Sequence, residues 1–173
     1  MDFITHLSSS TGKTIIWVVV DRLTKYGHFI ALSTGLTAVT LAEKFVQEIV
    51  RLHGFPKDIV SDRDPLFMSQ FWQEVFCLQG TTLSTSSAHH PQTDGQTEVL
   101  NRCVEDYLRC YVADNAKDWV RFLPWAEWQY NTAWHSATRM TPFEAVYGRK
   151  PPGICDYISR ASSIATVDDQ LLS

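Results

Sequence analysis

Six consecutive apolar residues, Ile15-Ile16-Trp17-Val18-Val19-Val20, constrain this chain more than any other feature. Side chains alternate between faces along a strand, so a strand with one wet face shows alternating polarity. An unbroken, β-branched run has both faces covered. The run is far short of the roughly 20 residues that cross a bilayer, so it predicts a buried central strand and no membrane partner. With 173 residues, 45% hydrophobic and 20% charged, the chain has enough material to cover such a strand on both sides.

The flanking pattern supplies the layers. Residues 1–6 and Tyr26 to Leu32 read as further strands, joined to the central one by short links in an antiparallel meander. From Val39 to His53, Leu41, Ala42, Phe45, Val46, Ile49, Val50 and Leu52 recur at helical spacing, with Thr37 or Thr40 as cap and Gly54 and Pro56 as stop. Residues 57–61 and 81–84 are short strands on either side of a helix over 69–78. Ser86 to Gly95 is a loop, and helices are expected over 96–113 and 119–134. A last short helix opens at Thr141-Pro142-Phe143, with proline at its first position. The expectation is an α/β domain over residues 1–152, a mixed five-stranded sheet with helices on both faces, its first strand cut short at the N-terminus. Residues 153–173 read as a tail or linker toward a further domain.

A net charge of −4 at first argues against a nucleic-acid partner. Its distribution answers the objection. Residues 61–100 carry one basic and five acidic side chains, whereas 1–60 and 101–150 each have a small basic excess. A local surplus of carboxylates is what a divalent cation reverses in sign, and a solvated acidic surface is the plain alternative. Cys77, Cys103, Cys110 and Cys155 form no Cys-x-x-Cys pair and read as reduced thiols. Met1-Asp2-Phe3 does not open a basic and apolar leader.

Three carboxylates stand apart by position. Asp2 lies on the first strand, Asp62 ends the fourth, and Glu98 sits in the first turn of the long helix; 59 residues separate the first two and 35 the second two. Phosphodiester transfer needs one oxygen activated and another stabilised together, which two Mg²⁺ ions about 3.5–4 Å apart achieve. Such ions need only a few carboxylates beside water and substrate phosphate. Asp64 competes with Asp62; the strand end favours Asp62, and Asp64 suits a turn. Asp21, after the central strand, suits a turn or an ion pair. Glu98, Arg102, Glu105 and Arg109 make a charged helical stripe opposite Val99, Cys103, Tyr107 and Cys110. Thr11-Gly12-Lys13-Thr14 imitates the end of a P-loop, but Leu7 stands where its first glycine belongs. His89-His90 with Cys77 or Cys103 lacks zinc-finger spacing. Trp119, Trp125, Trp128, Tyr130 and Trp134 suit core packing or a dimer face.

Longer motifs surround these residues: Val18-Val19-Val20-Asp21-Arg22-Leu23-Thr24-Lys25-Tyr26, Leu52-His53-Gly54-Phe55-Pro56, Ile59-Val60-Ser61-Asp62-Arg63-Asp64, and His90-Pro91-Gln92-Thr93-Asp94-Gly95-Gln96-Thr97-Glu98. Leu123-Pro124-Trp125-Ala126-Glu127, Tyr130-Asn131-Thr132 and Met140-Thr141-Pro142-Phe143 follow. On these motifs residues 2–152 resemble the catalytic domain of integrases from gypsy-type long-terminal-repeat retrotransposons, relatives of retroviral integrases. The 35-residue interval before Glu98 is characteristic of that family. The resemblance implies an RNase H-like fold and Asp2, Asp62 and Glu98 as catalytic metal ligands for Mg²⁺ or Mn²⁺, two ions in all. It implies a polynucleotidyl transferase that trims 3′ ends and joins them to target DNA. His90, Gln92, Gln96, Asn101 and Arg102 are then the candidate DNA contacts. It further implies a homodimer or higher oligomer, and a nuclear site of action after a cytoplasmic particle. Two alternatives stay open: an inactive remnant that binds nucleic acid or a partner, and a ribonuclease H-type nuclease, against which the stretch from His90 to Glu98 argues.

Overall fold

β1 (Asp2–Ile4), β2 (Ile15–Val20) and β3 (Gly27–Leu32) form the antiparallel meander, with β2 in the middle. Asp2 lies opposite Val18 of β2, and Val18 opposite Phe29 of β3. These relations come from a computed structural model that describes residues 1–85, 100–109 and 117–152. Ser10 and Lys13 close the link between β1 and β2 with reciprocal backbone bonds of 2.9 and 2.8 Å, and Gly12 takes the left-handed φ of 78° that this turn needs.

The apolar run of β2 is buried on both faces. Trp17 and Val19 point one way, with Leu32, onto α1 (Ala38–Phe45), Ile59, and Trp72 and Phe76 of α2 (Gln70–Leu78). Ile16 and Val18 point the other way, with Ile4 and Phe29, onto α3 (100–109) and α4 (Trp119–Thr132). Helices therefore cover both faces, as the unbroken run requires. No helix of the described residues is long and apolar enough to cross a membrane.

The caps follow local chemistry. Thr37 and Thr40 are both used: Thr37 caps α1, and the Thr40 hydroxyl returns the bond to the Thr37 amide. α1 continues through a π-helical turn, Val46–Val50, into a last turn, Arg51–His53, which Gly54 ends at φ 79°. Ser69 caps α2. Thr141 and Glu144 box the start of α5 (Pro142–Tyr147), with Pro142 at its first position.

Several expectations shift. The strands over 57–61 and 81–84 appear as β4 (Asp58–Ser61) and β5 (Thr82–Thr85), paired parallel to each other. The described strands thus form a three-stranded and a two-stranded sheet rather than one continuous five-stranded ladder. Met1 N donates to Val60 O at 2.8 Å and bridges the two. That bond meets β4 one residue before its last, Ser61, and no ladder between β1 and β4 follows it among the described residues. The helix over 119–134 stops at Thr132, where Ala133 turns extended. The buried stripe of α3 is Leu100, Val104 and Leu108, with Cys103 and Tyr107 half-buried at its edge; Val99 and Cys110 fall outside the described residues. The aromatic series divides: Trp119 is buried and donates from Nε1 to Ser8 O at 2.7 Å, while Trp125 and Trp134 are exposed.

One polar side chain ties α4 to the sheet. Asn131, 1% exposed, accepts the Gly27 amide at Oδ1 and donates from Nδ2 to the Gly27 carbonyl, both at 2.8 Å. Gly27 has to be glycine here, since a Cβ would lie 2.9 Å from Cε1 of Tyr130. Asn131→Leu strands two buried backbone groups. It is expected to cost about 2–5 kcal/mol, read from equilibrium urea unfolding.

Candidate active site

Directly opposed residues in an antiparallel pair share a face, so Asp2 faces the same way as Val18 and Ile4, toward α3. Two donors fix its carboxylate. Phe3 N reaches Oδ1 at 2.8 Å, and Asn101 Nδ2 of α3 reaches Oδ2 at 2.6 Å. Asn101, expected as a DNA contact, thus turns its amide nitrogen to Asp2. Its Oδ1 is buried and has no hydrogen-bond partner among the described residues.

Asp62 follows β4 directly. Its Oδ1 accepts the Asp64 amide at 3.2 Å. Asp64 in turn organises the next turn: Oδ1 accepts the Leu66 amide at 2.9 Å, and its carbonyl accepts the amides of Phe67 and Met68. Asp21 also ends in a turn, its carboxylate accepting from the Leu23 and Thr24 amides and the Thr24 hydroxyl.

The Met1–Val60 bond sets Asp2 beside the end of β4, and the two carboxylates act on each other. Burial raises the Asp62 carboxyl above its ordinary value, and the charges of Asp2 and Asp64 add to the rise. The Asp64 amide and the Met1 ammonium pull the other way without reversing it. Carboxylates gathered against their own repulsion in a half-buried place fit a hard divalent cation, which neutralises them through oxygen ligands. Among the described residues no group of three or more His, Cys, Asp and Glu side chains forms a metal-holding cluster. Glu98, His90, Gln92 and Gln96 lie outside the described residues. Arg102 is exposed on α3, and exposed Arg109 stands 4.0 Å from Asp106.

No family model matches the chain. The Tf2-3 and Tf2-4 transposon polyproteins of Schizosaccharomyces pombe are each 40% identical to it over 151 residues, 87% of this chain. This chain is homologous to a segment of transposon polyproteins. It spans 11% of the length of those relatives. Solved structures agree on the fold. The HTLV-2 integrase catalytic core domain in complex with magnesium superposes with a TM-score of 0.65 at 20% identity, over 83% of this chain and 93% of that one. The BIV integrase catalytic core domain gives 0.61 at 21% identity, over 83% and 91%. The simian T-cell lymphotropic virus intasome in complex with the PP2A regulatory subunit B56 gamma gives 0.70 at 17% identity, over 94% and 59%. The polyprotein segment thus has the RNase H-like α/β fold of retroviral integrase catalytic cores.

The raised Asp62 carboxyl carries a sign. The folded chain holds this proton more tightly than the unfolded one, so stability is lost as pH rises through the folded value. Asn keeps an oxygen for the Asp64 amide and removes the charge. Asp62→Asn is expected to raise the Tm at neutral pH without divalent ions. The gain should vanish below the ordinary aspartate value of 3.8, as followed by scanning fluorimetry across pH.

Proposed function

We propose that this chain is the catalytic core of a gypsy-type retrotransposon integrase, a polynucleotidyl transferase that processes DNA 3′ ends and joins them to target DNA. The observation that carries this reading is the meeting of Asp2 and Asp62, with 59 residues between them in sequence, at the junction of β1 and β4. The homologous transposon segment and the integrase-core fold support it.

In this reading Asp2, Asp62 and Glu98 hold Mg²⁺ or Mn²⁺, as a pair of ions. Bound divalent metal supplies an activated oxygen nucleophile and a neutralised leaving oxygen. The protein's own part is placement. Asn101 and the Phe3 amide fix both oxygens of Asp2. The Asp64 amide fixes Asp62, and the hydrogen-bonded turn behind it keeps that amide rigid. Glu98, two residues before α3 in sequence, is assigned as the third ligand. Arg102, exposed on α3 three residues beyond Val99, faces solvent where a phosphate backbone can lie. His90, Gln92 and Gln96 are assigned to the DNA end, and a homodimer or higher assembly on DNA is the working form.

A branched DNA substrate with Mg²⁺ or Mn²⁺ tests this. The full chain is expected to reverse strand transfer, releasing the joined ends, and Asp62→Asn with Glu98→Gln is expected to abolish release. Asn101→Ala, which frees Asp2, is expected to slow release by up to about 10²-fold. Metal binding without any DNA chemistry would support the inactive remnant instead. Cleavage of RNA–DNA hybrids but not of branched DNA would support the ribonuclease.

A further inference from the structure

The end of the first helix meets the sheet through two histidines. His28 stands on β3 and His53 in the last turn before Gly54, and their Nε2 atoms lie 2.9 Å apart. The ring centroids are 5.1 Å apart, so the two nitrogens meet head-on as a hydrogen bond. One Nε2 donates and the other accepts, and an accepting imidazole nitrogen carries no proton. A cavity of about 690 Å³ opens beside the pair, lined also by Asp21, Tyr26 and Lys57.

Such a bond survives one added proton, since an imidazolium donates to a neutral ring. It does not survive two, because both Nε2 atoms are then donors and two like charges face each other. The groups around the pair leave this conflict in place. Glu127 of α4 lies on the far side of His28, with Oε1 3.5 Å from Nδ1, and its Oε2 accepts the Phe29 amide at 2.7 Å. Asp21, after β2, favours a charged His53, but its oxygens accept from the Leu23–Thr24 turn. Tyr26, its ring 5.2 Å from that of His28, keeps its phenol protonated through burial and the Tyr147 hydroxyl of α5. Asp58 of β4 pairs with Arg22 at 3.2 Å, and Lys57 adds only positive charge.

We propose that His28 and His53 form an acid-sensitive latch, which ties the end of the first helix to β3 while at least one ring is neutral and releases it once both are protonated. Partial burial, and then His28, hold His53 below the usual histidine value of 6.5, against the pull of Asp21. The latched pair therefore takes its last proton less readily than the released one. The latch is fully present above 6.5 and is lost as pH falls through the lower, folded value. Release is local. Beyond Gly54 the chain is fastened again, where the Thr81 hydroxyl donates to the Pro56 carbonyl at 2.8 Å and the Thr82 amide to the Lys57 carbonyl at 2.9 Å. The helix end lifts while β4 and Asp62 stay, and the mouth of the cavity widens.

Hydrogen exchange of the full chain, followed by NMR, tests this. The reporter is the Gly54 amide, which donates to Val50 O at 2.8 Å and closes the last turn. Its protection, corrected for the intrinsic effect of pH on exchange, is expected to fall several-fold between about pH 7 and pH 5, while the amides of β2 keep theirs. His28→Gln and His53→Gln each leave one ring facing a neutral amide that accepts from it, so in both variants the fall is expected to vanish. In His28→Gln the titration midpoint of His53, read from its ring proton shifts, should move up toward 6.5. Steady Gly54 protection in the parent, a fall of equal size in either variant, or a His53 midpoint unmoved by His28→Gln would overturn the latch. A loss in the parent that takes the β2 amides with it is acid unfolding of the whole domain and overturns it as well.

Discussion

The structure depends on β2 having no wet face. Ile16 and Val18 are fully buried toward one helical layer, and Trp17 is fully buried toward the other. At roughly 25 cal/mol per Å² of apolar surface, a strand covered twice contributes about twice what a half-exposed one does, and neither layer can leave without exposing it. The aromatic cluster around Trp17, with Phe3, Phe45, Phe67 and Trp72 at ring distances of 5.9–6.2 Å, anchors α1 and α2. On the other face α3 and α4 bring polar side chains down with their apolar stripes. Asn101, Glu127 and Asn131 all reach β1 or β3 because their helices pack there.

That arrangement places the carboxylates. Asp2 faces α3 because it opposes Val18, and it meets Asp62 because Met1 bonds to Val60. The cost is visible in Asp62, whose carboxyl is raised by burial and by like charge. A fold selected for stability alone would put an amide or an apolar group there. Both oxygens of Asp2 and one of Asp62 accept a donor, so the repulsion is held in place rather than relaxed by movement.

Much of this was legible in the sequence, for identifiable reasons. The unbroken Ile15–Val20 run announced two covered faces, and Thr37, Ser69 and Thr141 marked helix starts through side-chain oxygens that bond locally. Asp62 was legible because a carboxylate directly after a strand is positioned by that strand. Features that depend on long-range pairing were not. Nothing near Asn101 in sequence points to Asp2, and nothing near Asn131 points to Gly27, 104 residues away. The face of α3 was legible in part: Arg102, Glu105 and Arg109 are exposed and Cys103 and Tyr107 half-buried, while full burial falls at 100, 104 and 108, in one cluster with Ile4 and Phe29. The split of the five strands into two sheets turns on whether β1 and β4 form a ladder, which composition does not report.

The π-helical turn at Val46–Val50 has a consequence for how the chain tolerates change in length. A π turn accommodates one residue more than an α turn, so every side chain after it is rotated by about 100° relative to an uninterrupted helix. Upstream, Leu41, Ala42 and Phe45 hold the core; downstream, the same rotation brings His53 against His28. The turn thus works as a phase adjuster between two faces that a regular helix of the same length could not serve together. A one-residue deletion there would turn the π turn into a regular α turn and leave both Phe45 and His53 in phase, whereas a one-residue deletion in a regular stretch of the helix would rotate one flank by about 100°. The stretch from Val46 to Val50 is therefore the one place in this helix where the chain can lose a residue and keep both flanks facing as they do.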